Sequence, residues 1–211
     1  MTKYCSLSFF KIDPKWRWMS DLAKDESSKE VQNVINNANT NYKTYSTLGL
    51  QSNSEFLLCM MTNSLEEIQT TISKLYFTVF GKYIIPTDIY TSIISNSKES
   101  QSTTNLKEQK KYMAICIIIK KSRWNNLDEG KKQSCIQTCF NIIKKNKEVI
   151  CKYSKSINSC QADAILTLES DNIINLQDIM NKLNHIISEY ANINSMICIQ
   201  KNIQKLIISL G

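Results

Sequence analysis

Apolar and polar positions alternate from Tyr4 to Ile12, the two-residue period of a strand with one buried face. Ala23–Ala38 is compatible with a helix. Lys43–Leu50 and Glu55–Thr62 follow as two strands rich in Thr, Tyr, Phe and Leu. Ser64 opens a second helix, and Glu67 three residues on completes the sequence signature of a capping box. Leu65, Ile68, Ile72 and Leu75 fall on one face of that helix, Gly81 suits its stop, and Thr87–Ile94 reads as a closing strand.

Residues 95–110 are polar, nearly free of apolar side chains, and read as a linker. Beyond them the same order returns. Tyr112–Ile119 is a strand, Glu129–Asn146 a helix, and Ile150–Ser156 and Ala162–Glu169 two more strands. Ile174–Tyr190 is a helix with Leu176, Ile179, Met180 and Leu183 on one face, and Met196–Asn202 closes the half.

Each half therefore reads strand, helix, strand, strand, helix, strand, the ferredoxin-like order. A fixed shift of 108 positions carries Trp16 onto Trp124, Tyr45-Ser46 onto Tyr153-Ser154 and Leu58 onto Leu166. The same shift carries Gln69 onto Gln177 and Lys74-Leu75 onto Lys182-Leu183. Identities in register that also keep the element order point to a duplicated unit. Each sheet has helices on one face, and its other face, also largely apolar, must be covered by sheet packing or closure into a barrel. The expected architecture is α+β: two tandem ferredoxin-like units (βαββαβ) forming a dimeric α+β barrel-type domain. Residues 1–94 form the N-terminal unit and 111–211 the C-terminal unit, with 95–110 as the linker between them.

Composition narrows the function classes. Lys plus Arg exceed Asp plus Glu by 26 to 19, a net charge of +7. The lysines are scattered and form no basic stripe interleaved with aromatics, so no nucleic-acid partner is expected. Only 4 Gly occur among the 211 residues, and no Gly-rich phosphate loop is present. The longest uncharged apolar run, Met113–Ile119, is far short of the ~20 residues of a membrane span. The charged, Trp-containing start lacks the pattern of a signal peptide, and a cytoplasmic location without membrane association is expected. The 8 cysteines include no CxxC pair and sit mostly in apolar stretches, as reduced core thiols do. The single histidine, His185, lies in a helix with no nucleophile motif around it, which argues against Ser/His/Asp or Cys/His catalysis.

Several segments, taken together, resemble the chlorite dismutase-like family, which includes chlorite dismutases and coproheme decarboxylases. Phe9–Trp16 is similar to that family's opening strand. Tyr45-Ser-Thr-Leu-Gly-Leu50 followed by Ser54-Glu-Phe-Leu-Leu58 resembles its "YS-x-x-GL…aDfml" segment, and Ser64–Gln69 and Phe80-Gly-Lys-Tyr83 fit the helix after it. In the second half, Lys111–Lys120, then Trp124 and Leu127, resemble "kkYmvvYPFvKt…W-x-x-L", and Asp163–Glu169 resembles "DFvlaFE". The resemblance implies two ferredoxin-like units, a homo-oligomer (commonly a homopentamer), and haem or coproheme bound in the C-terminal half.

The residues that the resemblance would place around the haem are altered. The axial position, twelve residues after Leu127, is Cys139 instead of histidine. The distal position, the catalytic one by analogy, is Lys152. The family's Tyr-Pro is Cys116-Ile117, while Lys120 keeps a propionate-contacting position; by the resemblance Cys116, Lys120 and Trp124 are the cofactor-binding candidates. The glycine of the family's turn is Asn158, and Ala162 and Ala164 replace its Gln and Phe. Cys139 is either a thiolate ligand to iron or a small hydrophobe in place of a lost ligand. Cys135, Cys139 and His185 could alternatively recruit zinc. The reading adopted is a family member with a degenerate haem site, its cofactor none or haem, acting as a non-catalytic oligomer or as partner of an intact paralogue. The alternative is a haem oxidoreductase or coproheme decarboxylase with Cys139 as axial ligand.

Overall fold

The computed structural model describes residues 2–94, 109–157 and 162–211. Most of the expected linker (95–108), together with Asn158 and Cys160, lies outside the described residues. The fold is α+β, built of two ferredoxin-like units. Residues up to Thr91 together with Cys198–Gly211 form one compact unit, and Ser92–Ile197 form the second.

The first unit contains β1 (Lys3–Ile12), α1 (Asp21–Asn36), β2 (Asn41–Ser46), β3 (Phe56–Thr62), α2 (Leu65–Phe77) and most of β4 (Ile84–Ile94). Its strands lie in the order β4-β1-β3-β2, and β3 is antiparallel to both neighbours for which the register is defined, with Leu7 opposite Cys59 and Thr44 opposite Leu58. The expected strand 43–50 stops at Ser46, because Thr47 starts a turn. Its carbonyl accepts from the amides of Leu50 and Gln51, and Gly49 takes a φ of 74° that disfavours a side chain.

Helix α1 starts where Ser20 caps it, its hydroxyl accepting from the Ala23 amide. The capping box expected at Ser64 is only half made. Ser64 Oγ accepts from the Glu66 amide, but Glu67 turns away to accept from Thr62 Oγ1 and, at 2.8 Å, from Asn39 Nδ2, tying α2 to the end of β3 and to the turn before β2. Gly81 lies beyond the helix end, in a short 3-10 turn over Phe80–Tyr83. A Cβ at Gly81 would stand 2.0 Å from the Leu75 carbonyl oxygen, so glycine is required there for close backbone approach.

Helix α6 (Ile203–Ser209) has no counterpart among the expected elements; it is capped by Asn202, whose side chain accepts from the Gln204 amide. It buries Ile203, Leu206 and Ile207 in the core of the first unit with Phe10, Val31, Phe56 and Phe80. Trp16, fully buried, donates its indole N–H to the Ile207 carbonyl at 3.3 Å and meets Phe80 edge-on at 5.0 Å. The last residues therefore pack with the first unit, whereas the sequence assigned them to the second.

The second unit contains β5 (Tyr112–Lys120), the short α3 (Ser122–Asn125), α4 (Glu129–Lys144), β6 (Ile150–Ser156), β7 (Ala164–Ser170), α5 (Ile173–Ile187) and the first part of β8 (Ala191–Gln200). The strand order β8-β5-β7-β6 repeats that of the first unit. In the antiparallel register Cys116 stands opposite Leu166, and Cys151 opposite Leu168. Strand β8 begins at Ala191, five residues before the expected start at Met196. Among the described residues, no helix is long and apolar enough to cross a membrane.

Candidate functional site

The two-residue period of the strands decides what reaches the site. On β5, Cys116, Ile118 and Lys120 share the face turned toward α4 and α5; on β7, Ala164 and Leu166 do so, and on β6, Tyr153. Helix α4 is capped by Asp128, whose carboxylate accepts from the Lys131 amide at 2.9 Å. It presents Cys135, Ile136, Cys139, Phe140 and Ile143 to that face, one helical stripe. Between sheet and helices lies a cavity of about 110 Å³, with walls formed mostly by apolar side chains. Phe140 meets Tyr153 edge-on at 5.9 Å on one side of it.

Among the described residues, Lys120 is the one charged side chain on the cavity wall. Its ammonium lies 5.5 Å from the centre of the half-buried Trp124 ring, a cation–π distance. Lys121 fixes this edge to the end of α5, its amide donating to the Tyr190 carbonyl and its ammonium to the Ser188 carbonyl. Arg123 pairs with Glu189 at 3.0 Å alongside.

The thiols around the cavity are held protonated. Burial pushes Cys116 up to about 12. Burial does the same for Cys139, also raised to about 12, with the neighbouring Cys135 as a further cause. Cys151, behind the wall, rises to about 12 through burial and the proximity of Cys116. Burial raises Cys135 too, partly offset by the hydrogen bond that the Cys139 thiol donates to its sulfur.

Of the candidate site residues, Cys116, Lys120, Trp124 and Cys139 line this one cavity. Lys152 does not. It alternates with Tyr153 on β6 and so points to the other face of the sheet, where its ammonium pairs with Glu169 at 3.3 Å. The Glu169 side chain is 3% exposed and that of Lys152 16%, a largely buried pair. His185 is exposed on α5 and does not reach the wall. Among the described residues, no group of three His, Cys, Asp or Glu side chains could hold a metal ion. Ala164, expected around the haem by the resemblance, is on the wall, while Tyr153 and Phe140 belong to it without having been singled out as lining it; the alternation of β6 around Lys152 was the available signal for Tyr153.

A family model described as Chlorite dismutase matches residues 24–192. Among solved structures, a mutant chlorite dismutase from Candidatus Nitrospira defluvii in complex with cyanide superposes with a TM-score of 0.86 at 12% identity, covering 99% of this chain and 94% of that one. The chlorite dismutase of the same organism in complex with imidazole gives 0.86 at 13% identity, with the same coverage. A haem-binding protein from Thermus thermophilus gives 0.83 at 12% identity, covering 100% of this chain and 95% of that one. A search of curated proteins gives no significant match.

Proposed function

Because the chain belongs to the chlorite dismutase family, we propose that it is a member whose haem site has decayed. In this reading it catalyses no haem chemistry and serves as a homo-oligomeric scaffold or as partner of an intact paralogue. The observation that carries the reading is the face that α4 turns to the cavity. A haem held from that helix calls for a neutral imidazole or a thiolate as axial ligand. The helix offers two thiols and no imidazole. Burial and the adjacent Cys135 both raise the Cys139 pKa, which keeps the thiol protonated at neutral pH, the reverse of what a thiolate ligand needs.

Volume argues the same way. The cavity of about 110 Å³ is well under the ~300–1,000 Å³ of pockets that take drug-sized ligands, and a porphyrin is no smaller than those. The distal position offers no cation to the cavity, since Lys152 is engaged by Glu169 on the opposite face of β6. These residues do not fit a haem. The oligomeric part of the reading draws on the family and on large exposed apolar side chains such as Trp18 (87%) and Phe77 (84%).

The test is a titration of the purified full chain with haem b and with coproheme, followed in the Soret region. The expected result is the spectrum of free porphyrin with no shifted band. A shifted band saturating at one porphyrin per chain overturns the reading. Its loss in Cys139→Ala would then identify the thiolate as the iron ligand.

A further inference from the structure

Protein interiors leave few voids larger than a water molecule. The first unit follows that rule: its Trp16 is fully buried, with Phe80 and Tyr83 against the ring. In the second unit the residue related by 108 positions, Trp124, instead stands beside about 110 Å³ of open space. Ile118, Ile136, Phe140, Ile143 and Leu166 present purely apolar side chains to that space, and a cavity so lined takes apolar molecules in preference to water. The thiols of Cys116 and Cys139, kept protonated by burial, act there as small hydrophobes. An apolar cavity of ~150 Å³ accommodates benzene, so the body of a ligand here is no larger than a single ring or a chain of roughly five carbons. The lining is charged at one end. Lys120 is exposed and Trp124 half-buried, so the ammonium, 5.5 Å from the centre of the Trp124 ring, stands where the cavity meets solvent. The Asp163 carboxylate accepts from the Lys120 backbone amide at 2.7 Å, and among the described residues no carboxylate pairs with the ammonium itself.

We propose that this cavity binds a small apolar monocarboxylate, its hydrocarbon part among the side chains of α4, β5 and β7 and its carboxylate at the Lys120 ammonium. One cation balances one negative charge, and among the described residues the wall holds no second cation that would favour a dianion. A cationic head would be repelled, and a neutral one would forgo the charge-assisted hydrogen bond from the ammonium. The space limits the length of the chain, so a longer acid gains nothing from its extra carbons. The inference rests on the reading that the cavity does not take haem.

The experiment titrates the purified full chain with hexanoate, read by calorimetry and by the indole N–H signal of Trp124 in nitrogen–proton NMR spectra, which Trp124→Phe identifies. The same preparation is titrated with haem b in the Soret region. The expected result is one hexanoate per chain, a moving Trp124 signal and an unmoved Trp16 signal. Lys120→Met weakens binding about tenfold, Lys120→Arg retains it, and hexylammonium does not bind. Ala164→Leu, which fills the space, abolishes binding, with circular dichroism checking its fold. Because Lys120 is exposed, its variants keep the test open even where Ala164→Leu fails to fold. An absence of hexanoate binding without a Soret shift overturns this proposal alone, whereas a Soret shift overturns the reading on which it rests. Equal affinity in Lys120→Met, equal binding of hexylammonium, or binding that leaves the Trp124 signal in place each overturns the proposal as well.

Discussion

At the scale of single residues, the cavity of the second unit is governed by what burial does to sulfur. Cys116, 1% exposed, has its pKa moved from the ordinary 9.0 to about 12 because the thiolate cannot be solvated there. An acid whose folded pKa is raised leaves stability unchanged below its unfolded value. Above that value the unfolded chain ionises while the folded chain does not, so stability falls as pH rises. The window is pH 9.0 to about 12, with a limiting slope of about 1.4 kcal/mol per pH unit for this thiol. Urea denaturation at stepped pH should therefore show a shallower alkaline loss for Cys116→Ala than for the parent chain. Parallel curves would mean that this thiol ionises as easily folded as unfolded.

At the scale of elements, strand alternation separates Lys152 from Cys139, which sequence spacing had placed in one site. Lys152 and Tyr153 are neighbours in the chain but face opposite ways, and the largely buried Lys152–Glu169 pair belongs to the face away from the cavity. Removing one partner of a buried hydrogen-bonded pair costs about 1–3 kcal/mol. Lys152→Met should lower the stability measured by denaturant unfolding by about that much. An unfolding midpoint equal to that of the parent chain would mean that the pair contributes nothing to stability. The order of strands and helices was legible because the periods of two and 3.6 are strong over Tyr4–Ile12, Leu65–Leu75 and Leu176–Leu183. The face of each strand was not, because a count of residues from Leu127 carries no register. Turn chemistry accounts for other differences. Thr47 and Gly49 cut β2 short, and Glu67 left its expected capping role for Thr62, at the end of the preceding strand, and for the more distant Asn39.

At the scale of the whole chain, the duplication is real in element order and unequal in what fills each unit. In the first, Trp16 is sealed under α6 with Phe80 and Tyr83 around its ring; in the second, the position related by 108 residues, Trp124, is half-buried at the edge of an open cavity. The difference lies in residues 203–210, which follow the second repeat in sequence and complete the core of the first. A seven-residue helix has too few turns to declare an amphipathic face, and its four buried neighbours in the chain, Ile203, Leu206, Ile207 and Leu210, are recognisable only once their partners in α1 and β3 are in place. The first repeat alone is thus an incomplete folding unit. Leu206, fully buried, should cost about 2–5 kcal/mol when cut to alanine, and a chain ending at Lys201 should lose more, exposing the Trp16 indole it normally covers. The readout is a red shift of tryptophan fluorescence at low denaturant, absent when Trp16 is replaced by Phe in the same truncated chain. If the truncated chain unfolds at the same denaturant concentration as the parent with its emission unmoved, then α6 is an ornament on the first unit, and the packing of Ile207 over Trp16 contributes nothing to its stability.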